Sequence, residues 1–201
     1  MKLAELEKKI GFTFPAKYHE IYDDGAVKWL EMNRKEIEAN IVEFAEDPKT
    51  FITLLEKAGC EMFAYDRIPE MVEELQNLIK DMEAENGVVM AKKITLIPFG
   101  KGAFGDYYCF MNSPKKKDTA VVSFCHDECA PLTVEGADFD EFLYNQMYNA
   151  VLNNVRVEDD VFQDFQEYLT EDYRKKLTGK STMNLQDDYY KLDIKEIEIW
   201  K

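Results

Sequence analysis

The chain has 201 residues, 46% of them hydrophobic and 13% aromatic, enough apolar material for one packed core and too much for a disordered chain. Its 40 acidic residues against 25 basic ones leave a formal charge of −15, which disfavours nucleic acid and anionic membranes as partners and favours basic proteins. The opening residues are charged and amphipathic, and no apolar run approaches the length of a membrane span, so a soluble cytoplasmic chain is expected.

Leu3, Leu6 and Ile10 fall at helical spacing and Gly11 ends that helix. Phe12-Thr13-Phe14-Pro15 reads as an extended turn, with Pro15 opening a second short helix that stops at Asp23-Asp24-Gly25. The next 60 residues are helical in pattern. Ile37, Ile41, Val42, Phe44 and Ala45 mark one helix. Asp47-Pro48 starts another, carrying Phe51, Leu54, Leu55 and Ala58 and closed by Gly59. A third runs from about Pro69 through Met71, Leu75 and Met82 to Asn86-Gly87.

The pattern then turns to strands. Segments 94–99, 106–111 and 119–125 alternate apolar and aromatic residues, and the short loops between them predict an antiparallel meander. Asp138 caps a helix whose apolar face includes Phe139, Phe142, Leu143, Met147, Ala150 and Val151. One more amphipathic helix is expected from Val161 to Tyr173, then a polar segment at 178–188, and a terminal strand with a bulge over 189–200.

Familiar catalytic patterns are missing from the sequence. Asp106, Asp118, His126, Asp127 and Glu128 are acid–base candidates, but with only two histidines in the chain, a role for His126 needs a partner and a pocket. Cys125, His126 and Cys129 offer three soft ligands without the second pair that structural zinc sites use; no metal or other cofactor is expected. The four cysteines, Cys60, Cys109, Cys125 and Cys129, read as reduced thiols. The glycine-rich segment 100–105 lacks the Lys-Ser/Thr ending of a phosphate loop and reads as a hairpin, with Asp106 capping the N–H groups of its own turn.

Several of these blocks stand in a known order. The segment from Leu6 to Tyr18, the Asp24-Gly25 turn, Ile97-Pro98-Phe99-Gly100 followed by Gly105-Asp106-Tyr107-Tyr108-Cys109, Val121 to Glu128, and Phe139-Asp140-Glu141-Phe142-Leu143 together resemble the SMI1/KNR4 (SUKH) superfamily. The resemblance implies an α+β fold, a mixed or antiparallel sheet with a central meander flanked by helices. It covers residues 3–25 and 94–148, so one domain over 1–201 is expected, with a helical insertion at about 26–93 and a C-terminal helix–strand extension at about 152–201. It also implies a non-enzymatic binding role, typically an immunity protein occluding a cognate toxin, often a nuclease, with a basic toxin domain as partner. The alternative is an adaptor for an endogenous cytosolic protein. Asp23, Asp24, Asp127, Glu128, Glu135 and Asp138, acidic residues in turns and at helix starts, are the candidate partner contacts.

Overall fold

A computed structural model describes residues 1–32, 35–36, 50–91, 94–112 and 119–201. The expected helix at Ile37 to Ala45, the helix start at Asp47-Pro48 and the turn containing Asp118 lie outside these residues.

Helix α1 (Leu3–Ile10) buries Leu3 and Leu6 and ends at Gly11, whose φ of 66° is the left-handed cap that glycine adopts without strain. Pro15 sits at the N-cap of α2 (Ala16–Asp23). One side chain ties the two helices together. Glu7 Oε1 accepts from Phe14 N at 2.7 Å and lies 2.9 Å from His19 Nε2. The clamp directs Phe12, Phe14 and Tyr18 inward, where all three are buried.

Helix α3 (Thr50–Lys57) ends at Gly59 and leads into strand β1 (Cys60–Met62); α4 (Ile68–Asn86) follows and packs along the next strand. That strand, β2 (Thr95–Gly102), is joined by β3 (Tyr107–Asn112), β4 (Ala120–Phe124), β5 (Leu132–Gly136) and β6 (Glu196–Ile197). All six strands pair antiparallel in the order β1 to β6, a continuous meander in an α+β fold. Pro98 lies within β2, where a missing N–H would weaken a regular ladder; the register slips between Pro98 and Gly100, and this bulge accommodates it.

Side chains alternate between the two faces of the sheet. On one face Phe110 meets Phe12, Phe14, Tyr18, Phe99 and Phe139, with ring centroids 4.5 to 6.1 Å apart. Phe139 and Phe142 belong to α5 (Phe139–Leu152), which crosses β4 and β5. On the other face Cys109, Val122 and Phe124 are buried, and Trp200 covers Phe124. Tyr107, Tyr108, Phe110 and Phe124 therefore belong to the core or its margin.

The C-terminal region is part of the same hydrophobic cluster. The single helix expected over 161–173 is divided into α6 (Asp160–Phe165), a 3-10 turn (Gln166–Tyr168) and α7 (Glu171–Leu177). Extended backbone at Leu169 and Thr170 makes the break, and Phe165, Leu169 and Leu177 are all buried as a result. The polar segment before the tail forms α8 (Thr182–Tyr189), started by a reciprocal cap between Ser181 and Asn184. The long terminal strand is accordingly corrected. Residue 189 is still helical, β6 spans two residues, and beyond it the tail is held by a bridge from Trp200 to Met90, a bond from Trp200 Nε1 to Ala130 O at 2.9 Å and backbone bonds between Lys201 and Val89.

Candidate partner-binding cleft

The turn from β5 into α5 is held by its own side chains. Asp138 is the N-cap and accepts from Glu141 N at 2.8 Å, while Glu141 Oε2 accepts from Ala137 N at 2.6 Å. One turn further on, Asn145 Nδ2 donates to Glu135 O at 2.8 Å. Glu141, Asn145 and Asn149 recur every four residues and form one polar stripe on a helix otherwise rich in buried apolar residues. The facing wall is the chain after α8, anchored where Val134 N donates to Lys195 O at 2.8 Å.

Between these walls lies an open cleft of about 200 Å³, lined by Glu135, Glu141, Asn145 and Asn149 on one side and by Tyr189, Leu192, Ile194 and Lys195 on the other. Tyr190 (78% exposed) and Ile194 (63%) leave apolar surface open in the segment that forms the second wall.

The Glu135 carboxylate is half-buried and points the same way from the sheet as Ser123, whose Oγ donates to it at 2.8 Å. Among the described residues it forms no salt bridge. Burial raises its pKa above the usual carboxylate range, and the serine hydrogen bond opposes that rise. Its charge is felt by Tyr108 and Cys60, whose own ionisation burial already suppresses.

Gln146 sits beside the polar stripe and is fully buried, and among the described residues its Nε2 has no hydrogen-bond partner. An unmatched buried donor costs about 1–3 kcal/mol. Gln146→Met, which keeps the shape, is expected to raise stability by about 1 kcal/mol in chemical denaturation. A less stable variant would show that Nε2 holds an internal water in solution.

The six acidic candidates fall in three separate places. Asp23 and Asp24 are exposed at the end of α2, near Asp164 and Glu167, since Tyr168 feels Asp24 and both of these. Asp127 and Glu128 are exposed in the β4–β5 loop, at the opposite end of the meander from Asp138. Glu135 and Asp138 share the β5–α5 corner, and of the six only Glu135 lines the cleft.

His126 has the partners that a functional role would need. Its Nδ1 lies 2.9 Å from Asp106 Oδ1 and its Nε2 2.9 Å from Asp127 Oδ1. Asp106 also accepts from His126 N at 3.2 Å, so it caps the β4–β5 loop rather than its own turn. The ring lies against Gly105, where a Cβ would come within 3.1 Å of it. Both imidazole nitrogens are engaged by carboxylates, and the arrangement pins the β2–β3 hairpin, whose tip exposes Phe104 (90%). Among the described residues no group of three or more His, Cys, Asp or Glu side chains has metal-holding geometry; Cys60 and Cys109 are buried in strands, and Cys125 and Cys129 are half-buried thiols.

The architecture is that of an α+β domain whose meander is packed between an N-terminal helix pair, α5 and the closing tail. The family model of the SMI1 / KNR4 family (SUKH-1) matches residues 2–145, and the chain belongs to that family. No curated protein and no solved structure shows a significant match. The match ends within α5, so the family segment supplies β5, Glu135 and Glu141, while residues after it supply Asn149 and the facing wall. Among the described residues no helix is long and apolar enough to cross a membrane.

Proposed function

We propose that the chain is a non-enzymatic immunity-type protein that neutralises a basic toxin domain by occluding it. The observation that carries this reading is Glu135, a half-buried residue lining an open cleft whose carboxylate forms no salt bridge among the described residues, in a family member of net charge −15. A carboxylate held in a partly desolvated site gains most from a cation brought by another molecule. A nuclease toxin, which must hold phosphates, presents such cations in its cleft.

Two measurements test the reading. Co-expression with toxin domains encoded beside the gene is expected to restore growth. The purified complex is expected to weaken by at least about tenfold as salt is raised from low to molar concentration. Affinity unchanged by salt would sink charge-complementary occlusion. A pull-down that returns only a housekeeping protein would replace the immunity reading with an adaptor role.

A further inference from the structure

We propose that the cleft between β5, α5 and the segment after α8 is a socket for one lysine or arginine side chain of the partner, with Glu135 as its counter-ion. The inference rests on the reading of the chain as a protein-binding domain and adds the chemistry of the contact.

The geometry points to a cation on an aliphatic stem. Glu135 lines the cleft from a strand, and its carboxylate is oriented by the Ser123 hydroxyl. Amide side chains of Asn145 and Asn149 line the same wall, and Leu192 and Ile194 line the opposite one, so a charged head would meet polar atoms while its methylenes meet apolar ones. The exposed ring of Tyr190 next to this wall is the type of side chain that anchors protein interfaces. A small hydrated cation would make no use of this apolar rim. A side chain projecting from a protein surface would.

The charged groups around Glu135 are Glu141 from α5, Asp193 and Lys195 from the facing wall, with Tyr108 and Cys60 on the sheet and Tyr189 at the end of α8. Lys195 is exposed and forms no salt bridge with Glu135. Among the described residues the Glu135 carboxylate has no counter-ion, and a partly buried carboxylate in that state costs stability, as functional sites commonly do. The sign follows from the raised folded-state pKa. The folded chain holds the Glu135 proton more tightly than the unfolded chain, so this group favours folding below the ordinary glutamate value of about 4.3. That contribution is lost as pH rises through the folded-state value. Glu135→Gln is therefore expected to raise Tm by a few degrees at neutral pH, with little gain at pH 4.

The test is an NMR titration of the whole chain with the blocked peptide Gly-Arg-Gly, set against Gly-Gln-Gly. Shifts are expected at the Asn145 and Asn149 side-chain amides and along residues 189–195, with the arginine peptide only. They should weaken at least about tenfold in Glu135→Gln, while Glu74→Gln, an exposed residue of α4 outside the cleft lining, binds as the parent does. Equal shifts in Glu135→Gln, shifts spread over the whole acidic surface, or none at peptide concentrations on the order of 10 mM would overturn the proposal. Spermidine competing as well as the arginine peptide would do the same, since a free polyamine would then be the better occupant. Failure here beside intact toxin neutralisation removes the socket alone. Peptide binding without neutralisation of any toxin leaves the socket and removes the immunity reading.

Discussion

Phe110→Ala is expected to lower stability by about 3–5 kcal/mol, enough to leave little margin for a chain of this size. Phe110 is fully buried in the central strand and meets five other rings, drawn from the N-terminal motif, from β2 and from α5. Truncation would remove one ring's burial and also leave a cavity that three elements cannot close together. Tyr18 cannot move in, because its hydroxyl is 3.1 Å from that of Tyr65 in a buried pair. Phe110→Leu keeps most of the volume and should cost well under half as much. Urea denaturation followed by circular dichroism distinguishes the two. An alanine variant that lost less than about 1.5 kcal/mol would show that the N-terminal aromatic cluster collapses onto the sheet.

How far the fold could be read in advance depended on how long each element is. Gly11, Gly59 and Gly87 announce helix ends because each stands where the apolar period stops, and all three adopt positive φ. The three central strands alternate over five residues or more. Strands β1 and β5 escape notice for physical reasons: β1 has three residues, and Leu132–Gly136 shows two apolar residues in five. Both are specified by their neighbours in the sheet. The tail misleads in the opposite direction, since Ile194, Ile197 and Ile199 suggest a strand in a segment where only two residues join the ladder.

The cleft is a similar case. Glu135 stands out as an acidic residue in a turn, yet nothing local separates it from Asp127 or Glu128. What separates them is a wall contributed by residues 189–195, more than 50 positions away. The signal that was available is the i, i+4, i+8 series Glu141, Asn145 and Asn149, a polar line along a helix with nine buried residues. Such a line marks a face that packs against nothing apolar. The family segment thus provides Glu135, and residues after it provide the facing wall.

Gly136 joins that scaffold to the cleft, and Gly136→Ala is expected to destabilise the chain by about 3 kcal/mol, the upper end for added bulk in a packed site. A Cβ there would lie 2.4 Å from Phe142 N, 2.7 Å from Asp138 O and 2.8 Å from Phe142 Cα. All three are backbone atoms of the first turn of α5, so no rotamer change relieves the clash and the helix itself must retreat from β5. The position requires glycine for close approach, since its φ is not in the left-handed region. Gly87→Ala is the matched control: φ is +67°, a Cβ meets nothing within 4 Å, and the cost should stay near 1–2 kcal/mol. The two variants differ further in what they do to the folded fraction. Retreat of α5 would pull Asn145 from the Glu135 carbonyl and widen the cleft, so arginine-peptide binding should fall in Gly136→Ala even where the chain is still folded, and stay unchanged in Gly87→Ala. Parallel denaturation and titration of both proteins checks this. If Gly136→Ala kept both stability and binding, the corner between β5 and α5 would be compliant, and the cleft would owe its shape to the segment after α8 instead.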